Sequence, residues 1–228
     1  MKKVILCILL TLNFSIGQAQ KALRYFEINN KRAKEKASYK NVKRLIYFDT
    51  ENKMIKRSLF KKRLSKHAFF QIPGDSLHHR KLIERQYHGQ LTNYDNFIHL
   101  LQTDLGITVD TSKPLIIIYY PGKDRCNSSS YATKESRKLW HSQMIEGLSQ
   151  LKVPKPIYIY HKDTKIERKF NFLNWYKDPQ GIVERLFFPY HFPCGSFVGV
   201  SKNGRYFSVY GEYGKAAVWK TAKYLLEK

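Results

Sequence analysis

The sequence predicts an α/β fold in which a mixed sheet is flanked by helices, with a β-rich N-terminal extension. The main observation is the run Leu115–Tyr120, six apolar residues without alternation, which is typical of a strand covered on both faces. Helical patterns precede and follow this run, and a Lys-Asn-Gly turn at 202–204 predicts a tight hairpin near the C-terminus. A strand–helix–strand unit followed by a hairpin and a covering helix gives this layered arrangement.

Residues 1–19 have the pattern of a secretory signal peptide. Two lysines precede the short apolar segment Val4–Leu12, which contains Cys7, and the small residues Gly17 and Ala19 suit cleavage after Ala19. The apolar segment is too short to span a bilayer, and no later run predicts a transmembrane segment. We therefore expect an exported protein, periplasmic or secreted, in an oxidising compartment.

Residues 20–90 are predicted to form the N-terminal extension, a β-hairpin plus a short helix. The β-branched and aromatic residues of 42–49 predict a strand, and a turn leads into a second strand at Met54. A third strand, 68–72, stops at a Pro-Gly pair. The residues after this pair predict a capped helix that runs to Glu84.

Residues 91–228 form the main predicted domain, in which helices and strands alternate. Its first helix carries apolar residues at i, i+3, i+4 and i+8 from Phe97 and ends at Gly106. Asp178 followed by Pro179 is typical of a helix start. In chain order we expect a helix over about 93–106, a strand at 115–120, a helix over about 128–151, a strand at 157–160, a helix over 179–186, strands at 197–200 and 206–210, and a C-terminal helix that ends near 226.

The chain is strongly basic, with 41 Lys and Arg against 18 Asp and Glu and a net charge of +23. Such a charge indicates either attraction to a polyanion or a solvated basic surface, and its densest part is 53–66. No motif of a sequence-specific nucleic-acid module is present. The eight histidines lack the spacing of a zinc site, so the sequence predicts no specific nucleic-acid partner, no metal and no cofactor.

One cysteine follows the buried strand at a predicted helix start, where the segment from Cys126 reads Cys-Asn-Ser-Ser. With the element order and the hairpin, this segment makes the chain from about 93 to 228 resemble the thioredoxin-like superfamily, particularly its extracytoplasmic bacterial branch. Members carry Cys-x-x-Cys at this place. Cys126 matches the first cysteine, Ser129 stands at the second, and Arg125 replaces the usual tryptophan. The resemblance implies thiol–disulfide exchange through Cys126, although Ser129 could not resolve a mixed disulfide.

The start of a helix stabilises a thiolate, which makes Cys126 a candidate nucleophile. The resemblance places Cys194 in the loop before the hairpin, beside Pro193 and Gly195 near the family's cis-proline position, and facing Cys126. Three interpretations stay open. In the first, the two cysteines form a structural disulfide, which would stabilise the fold by roughly 4 kcal/mol and is the default in an oxidising compartment. In the second, they form a redox-active pair in which Cys194 resolves the mixed disulfide on Cys126, and in the third both are unpaired thiols.

Two functions follow from these observations. The first is a divergent thioredoxin-like envelope protein that exchanges thiols with a protein thiol or disulfide partner through Cys126. The second is a non-catalytic scaffold of the same fold that binds an anionic envelope polymer through its basic surface.

Overall fold

The structure is a computed structural model that describes residues 45–76, 78–122, 132–161, 166 and 170–227. The chain divides into two compact units, with the boundary between Ile83 and Glu84. The predicted signal peptide, 1–19, lies outside the described residues. Among the described residues, no helix has the length and apolar character needed to cross a membrane.

The first unit contains a four-stranded sheet with the strand order β2-β1-β4-β3. Its elements are β1 (Ile46–Phe48), β2 (Met54–Ile55), α1 (Arg57–Leu64), β3 (Phe69–Pro73) and β4 (His79–Glu84), the last of which reaches the unit boundary. β1 and β2 are antiparallel, and Asp49 Oδ1 accepts hydrogen bonds from the backbone N–H groups of Glu51 (3.0 Å) and Lys53 (2.9 Å) in the turn between them. The aspartate therefore stabilises the predicted hairpin.

The predicted helix ending at Glu84 is wrong, because this segment is β4, which pairs in parallel with β1. In the described part of this unit the helix is α1, within the basic stretch that follows β2. Lys, Arg and Leu are good helix formers. Phe60 of α1 is 1% exposed and packs on Tyr47, with 4.8 Å between ring centroids. Tertiary pairing and burial therefore override the local capping signal.

The second unit contains a six-stranded mixed sheet with the order β5-β10-β9-β6-β7-β8. Its elements are β5 (Gln86–Gln90), α2 (Tyr94–Leu105), β6 (Leu115–Tyr120), α3 (Lys134–Gln150), β7 (Ile157–Tyr160), β8 (Trp175–Lys177), a 3-10 turn (Pro179–Gly181), α4 (Ile182–Phe187), β9 (Ser196–Val200), β10 (Arg205–Val209) and α5 (Lys215–Leu226). β6, β7 and β8 are parallel, whereas β9 is antiparallel to β6 and β10 to both its neighbours.

β6 is the buried centre of this sheet, as predicted, because all six of its residues are buried. Its alternate residues Ile116 and Ile118 face a core that includes Met144 of α3 and Val218 of α5. On the opposite face, the ring of Tyr119 stacks on Phe188 at the end of α4, with 4.8 Å between centroids. The α/β class, with a mixed sheet flanked by helices, is thus confirmed.

The end of α2 follows its predicted signal, since Gly106 ends this helix with φ 62°, a conformation that favours glycine. The predicted start of the next helix, near 128, is wrong for α3, which begins at Lys134. Thr133 is extended and caps α3, and its Oγ1 accepts a hydrogen bond of 3.1 Å from the backbone N–H of Ser136, so Cys126 is not the residue that caps this helix. The edge strands β5 and β8 are additions that the sequence analysis did not predict.

Candidate functional site

The carboxyl ends of β6, β7 and β8 lie along one edge of the second sheet, since these neighbouring strands are parallel. β9 runs the opposite way and therefore begins at the same edge. Ligands of open α/β sheets bind outside the carboxyl ends of the strands. This edge, called here the carboxyl edge, is the candidate functional site, and two groups of side chains lie on it.

The first group surrounds Cys194, two residues before β9. In the register of β9 with β6, Ser196 is opposite Tyr119, so β9 starts beside the end of β6. Cys194 comes just before this start and therefore lies at the same edge of the sheet. Cys194 is 8% exposed and has φ 70°. It is the only cysteine among the described residues, so a disulfide from Cys194 would need a partner outside them.

A carboxylate lies next to this sulfur. Cys194 Sγ is 3.7 Å from Glu212 Oε1. The backbone carbonyl of Glu212 accepts a hydrogen bond of 3.0 Å from Arg85 Nη2, and Arg85 Nε donates one of 3.0 Å to the Tyr210 carbonyl. The Arg85 guanidinium also lies 5.1 Å from the centroid of the Phe192 ring. Arg85 thus ties the segment that follows β10 to the segment that carries Cys194.

Gly211 allows these two segments to approach closely. Its φ is 68°, and a Cβ added there would lie 1.9 Å from the Phe192 ring. Its backbone N–H donates a hydrogen bond of 3.0 Å to Ser196 Oγ. The tight packing at Gly211 therefore positions Glu212 beside Cys194.

Cys194 is the only predicted site residue that the structure describes. Arg125, Cys126 and Ser129 lie outside the described residues, so their predicted positions stay predictions. All peptide bonds among the described residues are trans, and Pro193 therefore differs from the cis-proline of the thioredoxin-like pattern.

The second group on the carboxyl edge consists of His161, Asp178 and Glu184. One ligand atom from each lies within 4.8 Å of the others. Backbone hydrogen bonds fix the first two at the ends of their strands, since the N–H of His161 donates to the Tyr120 carbonyl (3.0 Å) and that of Asp178 to the Tyr160 carbonyl (2.8 Å). Glu184 comes from the first turn of α4, and its Oε2 is 2.7 Å from His161 Nδ1.

Asp178 is buried, with 5% exposure, and its carboxylate caps α4. Oδ1 accepts a hydrogen bond from the backbone N–H of Val183 (3.0 Å) and Oδ2 from that of Glu184 (2.9 Å). Burial raises the pKa of Asp178 to about 6, although these two hydrogen bonds act in the opposite direction. The carboxylate of Asp178 is therefore buried and held by two backbone N–H groups at the start of α4.

The hydroxyl of Tyr119 lies buried near this group. Tyr119 is 2% exposed, and its hydroxyl has no hydrogen-bond partner among the described residues. Burial raises the pKa of Tyr119, and the negative charges of Glu184 and then Asp178 raise it further.

His161, Asp178 and Glu184 were not predicted as site residues. The position of His161 was a usable indication, because this residue directly follows a predicted strand. The position of Asp178 was not, because this residue is predicted only as a helix cap and the strand before it, β8, was not predicted. Without β8, nothing indicated that these residues meet at one sheet edge.

No family model, curated protein or solved structure matches this chain.

Proposed function

We propose that the chain is an exported thioredoxin-like protein that exchanges thiols and disulfides through Cys126 and Cys194. The observation that carries this proposal is the position of Cys194 at the carboxyl edge, next to the end of β6, with Glu212 Oε1 3.7 Å from its sulfur. All three interpretations of the cysteines stay open, and the proposal adopts the redox-active pair.

The arrangement of the second sheet supports the thioredoxin-like part of the proposal. The parallel pair β6 and β7, with α3 between them in the chain, is followed by the antiparallel β9–β10 pair and then α5. This is the element order on which the resemblance rests. β5 and β8 extend the sheet at its two edges.

The cysteine count supports Cys126 as the partner of Cys194. The chain has three cysteines, and Cys7 lies in the predicted signal peptide. Ser196, two residues after Cys194, is opposite Tyr119 in the β6–β9 register. The seven residues from Tyr119 to Cys126 reach at most roughly 25 Å, and a disulfide needs Cα atoms about 6 Å apart, so the connection allows the bond.

The proposed exchange has two steps. In the reduced protein, the Cys126 thiolate attacks a substrate disulfide, forms a mixed disulfide and releases one substrate thiolate, which takes a proton from solvent. The Cys194 thiol then loses its proton and attacks Cys126 Sγ, which releases the second substrate thiolate. The substrate disulfide becomes two thiols, and the two protein thiols become the Cys126–Cys194 disulfide.

Glu212 favours exchange over a purely structural bond. Its Oε1 is 3.7 Å from Cys194 Sγ, so the carboxylate is placed to accept the proton of the Cys194 thiol as that thiol attacks. A structural disulfide gains nothing from a proton acceptor at this distance.

A redox titration of the native protein tests the proposal. The purified chain is equilibrated with glutathione buffers of graded potential, trapped by acid and alkylation, and analysed by mass spectrometry. We expect a Cys126–Cys194 pair whose midpoint lies above about −300 mV, the region of exchangeable disulfides. Cys126→Ser should abolish exchange, whereas Ser129→Ala, the matched control in the same segment, should retain it. A pair that resists reduction until the protein unfolds would make the bond structural and end the proposal.

A basic surface on the first unit favours the second function, binding of an anionic envelope polymer. Five basic side chains on and beside α1 are exposed and form no ion pair with another described residue: Lys56, Arg57, Lys61, Lys62 and Lys66. Such a cluster attracts a polyanion, with an affinity that falls steeply with salt.

Binding to an anionic polysaccharide such as heparin, measured at several salt concentrations, tests this second function. The double variant Lys61→Gln/Lys62→Gln should bind more weakly than Lys220→Gln/Lys223→Gln, which removes the same charge from exposed positions of α5. Equal losses in both variants would show that only net charge matters, and this would exclude α1 as a specific surface.

A further inference from the structure

We propose that His161, Asp178 and Glu184 bind a divalent transition-metal ion of the Zn²⁺ type at the carboxyl edge. This inference goes beyond thiol–disulfide exchange, because none of the three residues is a cysteine.

The donor set suits such an ion. One imidazole nitrogen and two carboxylate oxygens are ligands that Zn²⁺ takes at about 2.0–2.2 Å, and three protein ligands leave a fourth position open for water. Ligand atoms bound at that length lie roughly 3–4 Å apart, and the three atoms here all lie within 4.8 Å of one another. Small side-chain rotations would therefore complete the site.

The backbone holds the ligands in place. His161 and Asp178 each donate a backbone hydrogen bond to the neighbouring strand, one residue beyond β7 and β8. The Asp178 carboxylate is oriented by the N–H groups of Val183 and Glu184. Groups that orient a ligand in this way raise metal affinity, because the ligand need not be ordered on binding.

Tyr119 provides an independent observation. A buried hydroxyl normally has a hydrogen-bond partner, and the Tyr119 hydroxyl has none among the described residues. The ring of Tyr119 stacks on Phe188 at the end of α4, the helix that carries Glu184, with 4.8 Å between centroids. The His161–Glu184 contact and the Asp178 cap leave the Tyr119 hydroxyl unexplained. A water molecule in the open metal position would accept its hydrogen bond.

Calorimetric titration of the full chain with Zn²⁺ tests the site. The protein is first stripped with a chelator and kept oxidised, so that cysteine sulfur is not a ligand. We expect one Zn²⁺ per chain and an affinity at least about tenfold weaker in both Glu184→Gln and His161→Gln, since even outer-shell partners contribute that much. Asp178 is left intact because it also caps α4.

The control is His99→Gln, which removes an exposed histidine of α2 and should bind Zn²⁺ as the unaltered chain does. Co²⁺ provides a second readout, because its visible spectrum reports coordination by the protein and should be lost in the two ligand variants. Absent binding, or binding that both ligand variants retain, would overturn the proposal. If one ligand variant fails to fold, the other decides.

Cys126→Ser separates this inference from the proposed function. This variant should lose thiol exchange and retain Zn²⁺ binding, whereas Glu184→Gln should lose Zn²⁺ binding and retain the Cys126–Cys194 disulfide. Loss of Zn²⁺ binding in Cys126→Ser would mean that a sulfur holds the ion, which would overturn the site.

Discussion

His141 should make the stability of the protein fall in acid. This residue lies in α3 and is 8% exposed, with Nδ1 3.2 Å from the Tyr158 hydroxyl. The rings of Trp140, Phe170 and Phe172 lie 4.8, 5.8 and 6.0 Å from its ring. Burial among these groups lowers the pKa of His141 from 6.5 to about 4, because an imidazolium would lose its hydration there.

The sign and the size follow from this shift. Between pH 6.5 and 4 the unfolded chain binds the proton at this histidine and the folded chain does not, so the free energy of unfolding falls as the pH falls. The contribution is fully present above pH 6.5. Relative to pH 7, the loss should be about 2 kcal/mol at pH 5 and about 3 kcal/mol at pH 4.

Urea unfolding of the unaltered chain and of His141→Phe, measured from pH 7 to pH 4 with a chelator present, tests this prediction. Phenylalanine keeps an aromatic ring in the site and does not titrate. The difference between the two proteins should therefore change by about 3 kcal/mol over this range in favour of the variant. His99→Gln controls for an exposed histidine and should follow the unaltered chain. Parallel pH profiles for the unaltered chain and His141→Phe would refute the reasoning.

Three further predictions concern the carboxyl edge. Glu212→Gln should slow the attack of Cys194 on the mixed disulfide by about a hundredfold. Stopped-flow assays should then show a mixed disulfide that persists on Cys126. An unchanged rate would show that Glu212 does not accept the proton of Cys194. Tyr119→Phe should raise the free energy of unfolding of the metal-free protein by about 1 kcal/mol, because it removes a buried hydroxyl without a hydrogen-bond partner among the described residues. A decrease would show that the hydroxyl forms a stabilising hydrogen bond. Gly211→Ala should lower the free energy of unfolding by about 2 kcal/mol, because the added Cβ would meet the Phe192 ring and the backbone has a positive φ. Gly214→Ala is the control, because its added Cβ meets no atom within 4 Å, and it should change this free energy little.

The parts of the fold that the sequence predicts are those with local signals. Leu115–Tyr120 is a strand because only burial on both faces accommodates six consecutive apolar residues. The positive φ of Gly106 is determined locally, so the end of α2 was also predictable. The start of α3 was placed too early, near 128, because several Ser and Thr residues before Lys134 offer similar capping signals. β5 and β8 had no such signal, since both are short edge strands whose pairing partners lie elsewhere in the chain.

The candidate site depends still more on distant segments. Cys194 was singled out as a rare residue type, but nothing local to it indicates that Glu212 lies 3.7 Å from its sulfur. His161 and Glu184 are 23 positions apart in the sequence. They meet because β7 and β8 are neighbours and Asp178, directly after β8, caps the helix that carries Glu184. Such convergence follows from sheet order, which single residues do not encode.

Disulfide mapping of the native protein, before and after equilibration with a glutathione buffer, tests the central proposal most directly. We expect a peptide pair that joins Cys126 to Cys194 in the oxidised sample, and its replacement by two alkylated peptides once the buffer is made reducing while the chain stays folded. A bond from Cys194 to Cys7 or to a second chain, or a Cys126–Cys194 bond that opens only on unfolding, would contradict the proposal.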